Sequence, residues 1–255
     1  MRTHSQGNIG FQGVKVEHAV QRFIAAFNEI ESYFRAALVV DEHVEFGKLV
    51  REYVATRHLP LRHQDALLAF ARLRNAISHE PYRNGRPIAY PRPDVVEQIE
   101  QLRDLCFKPP TALSVLGQRE VCSVAPGQPI SAALEYVSLY DYSQLPVYDG
   151  DSYVGILTTN AIARWLAAQF AAAEGLAEAE TVGHVLDFAE QHESAKPVAR
   201  SITTADAIHR LSKGGQEGKP LTALIITQSG KSTEKPLRVV VDDDLPALVS
   251  ALEIG

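Results

Sequence analysis

Cysteine is scarce: this 255-residue chain has two, Cys106 and Cys122. Two cysteines make no disulfide framework, and without a Cys-x-x-Cys spacing they give no sign of a structural zinc site. A reduced, cytoplasmic setting is therefore expected. Long apolar runs are missing too. The longest, Ala161 to Ala173, is interrupted by Arg164 and Gln169, which leaves it too short and too polar to span a bilayer. Residues 1–13 are polar and hold no apolar signal core, so they read as a flexible N-terminus, and no membrane association is expected. There is no Walker loop, nucleophile elbow or dinucleotide fingerprint. The nine histidines show no ligand spacing beside carboxylates, so no metal and no required cofactor are expected.

What remains is the composition of an ordinary core-forming chain, 45% apolar and 22% charged,. The net charge of −6 is unevenly shared. Residues 1–107 carry 14 Lys and Arg against 13 Asp and Glu, whereas residues 108–255 carry 11 against 18. Within the first part, residues 57–92 hold seven arginines with His58, His63 and His79, opposed by Asp65 and Glu80. A local excess of this kind suits either a phosphate-bearing partner or a solvated helix face.

Periodicity divides the chain in two. Val16, Val20, Phe23, Ile24, Phe27, Ile30 and Phe34 recur at three- and four-residue spacing, and Phe46, Leu49, Val50 and Tyr53 continue the pattern in a second helix,. Pro60 precedes a third helix, expected over 65–79 and closed by Pro81,. Residues 82–93 read as loop, and Asp94 as the N-cap of a fourth helix through Phe107,. Four amphipathic helices over 14–107 predict a bundle. Lys108-Pro109-Pro110 then begins a stiff linker, 108–114,.

Beyond it a strand–helix–strand–strand–helix pattern occurs twice, over 115–180 and 181–255. Val124 and Ala133 are answered by Val198 and Ala207, an offset of 74, which drifts to 83 when Gly155 is matched with Arg238. One such unit cannot bury its own sheet face. Two packed together can, leaving a cleft suited to a ligand. The expected fold class is thus α+β and multidomain, an N-terminal α-helical bundle followed by a pair of α/β domains.

The third helix ends Arg72-Leu73-Arg74-Asn75-Ala76-Ile77-Ser78-His79-Glu80-Pro81. This Arg-Asn-x-x-x-His run on a small bundle resembles the HEPN family (higher eukaryotes and prokaryotes nucleotide-binding). That resemblance implies a metal-independent endoribonuclease working as a homodimer on RNA, with Arg74, Asn75 and His79 catalytic. The residue chemistry is compatible. Histidine, with a pKa of roughly 6.5, serves as acid or base near neutrality, and arginine offers phosphate a permanently charged planar fork. Arg74 and His79 lie about 140° apart around a helix, so two copies would be needed to combine them. The plainer alternative is a solvated arginine and a histidine favoured by the helix C-terminal dipole.

The second part, with Val124-x-Pro126, Gln144-Leu145-Pro146-Val147 and Gly155-Ile156-Leu157-Thr158, resembles a tandem of CBS domains, the Bateman module named for cystathionine β-synthase. The resemblance implies regulatory binding of AMP, ATP or S-adenosylmethionine between the copies, through Gly-x-x-Thr/Ser-x-x-Asp. Each copy keeps part of that motif. The first has Gly155 and Thr158 but Ala161 at the Asp position, with Asn160 one place earlier. The second has Arg238 and Val241 followed by Asp244. The expected ligand residues are Val124, Pro146, Thr158, Asn160, Arg238 and Asp244. Thr158 closing a strand and Asp244 capping a helix are the structural alternatives. Two functions follow: an RNA-cleaving bundle governed by an adenosyl ligand, or a non-catalytic nucleotide sensor whose bundle serves dimerisation or partner binding.

Overall fold

The computed structural model describes residues 7–78, 81–82, 86–172, 180–214 and 218–254. The chain folds into two units, Met1–Pro109 with Leu252–Gly255, and Pro110–Ala251.

The first unit is helical. α1 (Gly7–Leu38), α2 (Phe46–Thr56), α3 (Leu61–Ser78) and α4 (Pro93–Phe107) pack around Phe23, Ile30, Phe34, Leu49, Leu67, Ile99 and Leu102, all fully buried. Phe34 stacks on Tyr53 with ring centroids 3.9 Å apart, and the Tyr53 hydroxyl donates to the Cys106 carbonyl at 3.2 Å. From Phe23 onward the predicted apolar positions Phe23, Phe27, Ile30, Phe34, Leu49, Val50 and Tyr53 face inward, whereas Val16 is exposed. α4 starts one residue before Asp94, with Pro93 in its first turn and Arg92 at the N-cap, because proline's fixed φ suits the first helical position. Inside the stretch read as loop, β1 (Pro81–Tyr82) pairs antiparallel with β2 (Arg86–Pro87).

The second unit repeats one element order. α6 (Ile130–Tyr140), β3 (Gln144–Asp149), β4 (Ser152–Thr158) and α7 (Thr159–Ala172) form the first copy. β5 (Ala195–Ala199), α9 (Thr204–Lys213), β6 (Ala223–Thr227), β7 (Arg238–Val240) and α10 (Leu245–Ser250) form the second. β6 lies between β5, to which it runs parallel, and antiparallel β7. In the first copy β3 and β4 are antiparallel, while the expected leading strand is reduced to one parallel bridge, Val124 to Val147. Pairing stops there because the Ala125 N–H is taken at 2.8 Å by the Gln128 side chain and Pro126 has no donor to offer,.

Two short helices tie the copies together. α5 (Ala112–Leu116), which begins within the segment read as linker, packs in the core of the second copy with Val198, Leu224 and Leu248. α8 (Val182–Leu186), which opens the stretch read as the second copy, packs instead in the core of the first with Leu145, Leu157 and Trp165. Matching backbone pairs hold both exchanges. Ala112 N donates to Ile202 O and Thr204 N to Pro110 O, just as Val182 N donates to Gln128 O and Ile130 N to Glu180 O. Each helix is capped by the threonine before it, Thr111 or Thr181,. The sheet faces meet through Ile156, Ala195, Ala223 and Ile225, with Tyr153 and Val239 alongside. The apolar face that one copy leaves uncovered is thus buried against the other.

Candidate functional site

Two cavities line the cleft between the copies. The first, about 340 Å³, is lined by Arg119, Tyr140, Tyr142, Gln144, Arg238 and Asp244, among others. The second, about 360 Å³, includes Thr158, Asn160, His192, Glu193, Lys219 and Asp242. They are built alike. Each joins the end of one copy's last strand to the lead-in and middle strand of the copies. The sequence repeat also relates them, since Arg119 plus the offset of 74 is Glu193. The same place therefore carries a cation in one cavity and an anion in the other.

In the first cavity, β7 delivers Arg238 and the single 3₁₀ turn after it, Asp242–Asp244, delivers Asp244. The Arg238 guanidinium donates to Asp244 Oδ1 at 2.8 Å and to the Leu116 carbonyl at 3.5 Å. Asp244 Oδ2 accepts from the Val241 N–H at 3.1 Å. Both side chains are largely buried. Burial pushes the Tyr142 phenol up, reinforced by neighbouring Cys122, so it remains a neutral donor.

In the second cavity, the Thr158 hydroxyl accepts from the Ala161 N–H at 2.9 Å, capping α7, and donates to Glu193 Oε1 at 2.6 Å. The other Glu193 oxygen accepts from the Glu190 N–H at 2.8 Å and pairs with Arg164 of α7. Arg164 is itself anchored on the Phe188 carbonyl at 2.8 Å. Burial alone would raise the Glu193 pKa. The Thr158 hydroxyl, the Glu190 amide and the Arg164 charge outweigh it, so the carboxyl sits below its usual range and the group is an anion.

The cleft thus gathers Pro146, Arg238 and Asp244 at one cavity and Thr158 and Asn160 at the other. Val124 lies in the first copy's core, 3% exposed, and lines neither. Glu193, Arg164 and Tyr142 stand outside the Gly-x-x-Thr/Ser-x-x-Asp motif, so the motif does not point to them. The repeat offset would have pointed to Glu193 through Arg119, while Arg164 and Tyr142 carry no local signal.

On the bundle, Arg74 and Asn75 stand near the end of α3. Arg74 is half-buried with its guanidinium 5.9 Å from the centroid of the Phe27 ring, and it donates to Asn75 Oδ1 at 3.5 Å. His79 lies outside the described residues. His63, counted in the basic stretch, is fully buried, and burial, aided by the Arg62 charge, lowers its pKa. It therefore adds no charge to a surface patch near neutrality. Among the described residues no helix is long and apolar enough to cross a membrane, and no three His, Cys, Asp or Glu side chains group as metal ligands.

Comparison with known proteins bears on the second unit. Among solved structures, a CBS-domain protein from Burkholderia ambifaria is 20% identical, over 55% of this chain and 94% of its own, with a TM-score of 0.42. CBSX2, solved in complex with AMP, is 17% identical over 55% of this chain and 96% of its own, with a TM-score of 0.38. A CBS-domain-containing protein from Agrobacterium tumefaciens is 18% identical over 55% and 89%, also with a TM-score of 0.38. No curated protein is similar to the chain. The family model for the CBS domain matches residues 114–168, spanning α6, β3, β4 and most of α7. Residues 114–168 are therefore a CBS domain, set between an N-terminal helical unit and a further stretch of α/β structure with the same element order.

Proposed function

We propose that this protein is a nucleotide-responsive regulator, which binds an adenosine-containing ligand in the cleft of the second unit and signals occupancy to the helical unit. One observation carries the proposal: a guanidinium and a carboxylate, Arg238 and Asp244, face a cavity of about 340 Å³ that is also lined by Tyr140 and Tyr142. Each part has a use. Guanidinium matches phosphate geometry. A carboxylate accepts from both ribose hydroxyls at once, and tyrosine rings offer an apolar face to a planar base. The volume lies within the range of about 300–1,000 Å³ typical of small-molecule sites. Titration calorimetry with AMP, ATP and S-adenosylmethionine tests it. Binding of at least one is expected, weakened about tenfold or more in Arg238→Ala through loss of a charge-assisted contact. No heat from all three would sink it.

A second reading concerns the bundle and is favoured by one contact, the hydrogen bond that joins Arg74 to Asn75 on α3. It makes the helical unit a metal-independent endoribonuclease, acting as a homodimer with Arg74, Asn75 and His79 at the RNA phosphate. RNA cleavage in EDTA is then expected from the wild type, and about a hundredfold less from His79→Ala, the scale of a lost acid–base group. Equal cleavage by both would remove it.

A further inference from the structure

We propose that the cleft takes one anionic ligand per chain, because Glu193 serves as a built-in anion at the Thr158 end of the second cavity. The choice of a nucleotide as ligand rests on the function proposed above. The self-occupation of the second cavity stands on its own geometry. The two cavities are repeats of one design, so the comparison is internal. In the first, the repeat position holds Arg119 and Arg238 adds a second cation; Glu120, Asp141 and Asp243 also line it but are exposed to solvent, and Asp244 is the carboxylate that holds Arg238. A guanidinium has five N–H donors, and the contacts of Arg238 to Asp244 and Leu116 leave others for a phosphate. In the second, the hydroxyl at the end of the strand, Thr158, already donates to a carboxylate, and Arg164 on the adjoining helix pairs with the same carboxylate. The Thr158 hydroxyl already serves this carboxylate, so an incoming anion would have to share the site with the Glu193 charge. That charge lies in a nearly dry position, 9% exposed, where a second anion within about 4–6 Å is strongly disfavoured. Lys219 and His192 line the rim of this cavity, but Asp242 shares it and offsets them.

The test is AMP titration by calorimetry, read as sites per chain, on wild type, Arg238→Ala, Glu193→Gln and Glu193→Ala. One AMP per wild-type chain is expected, bound about tenfold or more weakly in Arg238→Ala, and two per chain in Glu193→Ala. Glu193→Gln keeps the shape and the Thr158 hydrogen bond, so it guards against a folding failure of the alanine variant. Removing its charge is expected to admit a second AMP, bound more weakly than the first. Two AMP per wild-type chain, or one per chain in wild type and both Glu193 variants alike, would overturn the proposal. If wild type binds none while Glu193→Gln binds one, Glu193 is upheld as the block and the Arg238 site is the part that fails. No binding by any variant removes both.

Discussion

At the scale of single residues, two carboxylates are held by hydrogen bonds that only the folded backbone assembles, one from distant donors and one from donors in its own loop. Glu193 lies 35 residues from Thr158, yet the two are hydrogen-bonded. Glu234 offers the clearest case for measurement. Its oxygens accept from the Ser229 hydroxyl and N–H, the Thr227 hydroxyl and the Lys231 N–H, closing the loop between β6 and β7. These donors, Ser229 foremost, hold its carboxyl down at about 2. The unfolded value is higher, so the native state gains from ionised Glu234 above the unfolded pKa, and the gain fades as pH falls towards about 2. Urea midpoints of wild type and Glu234→Gln are expected to differ most near neutrality and to converge in acid. A constant gap across that range would show that the carboxylate charge is not what closes the loop. Gly230 in the same loop, at φ +87°, was equally silent in the sequence. A Cβ there would meet the Ala199 nitrogen at 2.9 Å, a clash that only the folded neighbour creates.

At the scale of elements, the helix and strand periods were legible because they are set by burial along a few turns. Phe23, Ile30 and Phe34 face the bundle core at the spacing that predicts it,. The short elements were not legible. α5 and α8 have five residues each, too few for a period, and their place is fixed by pairing with distant backbone. Leu113 of α5 therefore supports the second copy although it precedes the first. Leu113→Ala is expected to cost about 2–4 kcal/mol. Amide exchange should quicken in β5 and β6 before it does in β3 and β4. The reverse order would show that α5 does not serve the core in which it packs.

At the scale of the molecule, the two units have separate cores, so heating need not give one two-state transition. Phe34→Ala, which empties a fully buried site in the bundle, is expected to lower one calorimetric transition by the equivalent of about 3–5 kcal/mol, and so to label it. Saturating AMP, at about 100 times its dissociation constant, adds about 2.7 kcal/mol to the state it binds. Control of the bundle by the cleft requires a ligand that discriminates between bundle states, so AMP should also move the labelled transition. A shift of the other transition alone would make the cleft a binding site without an output. What the sequence by itself determined is whatever depends on neighbours along the chain: the bundle helices, the twofold strand–helix pattern, the ends of the ligand motif and the CBS resemblance. Which groups meet across the cleft was decided only by the tertiary structure. Charge and hydrogen bonding act through space, and only the fold brings Arg119 to the cavity of Arg238 and Asp244, and Glu193 to that of Thr158, across long stretches of chain.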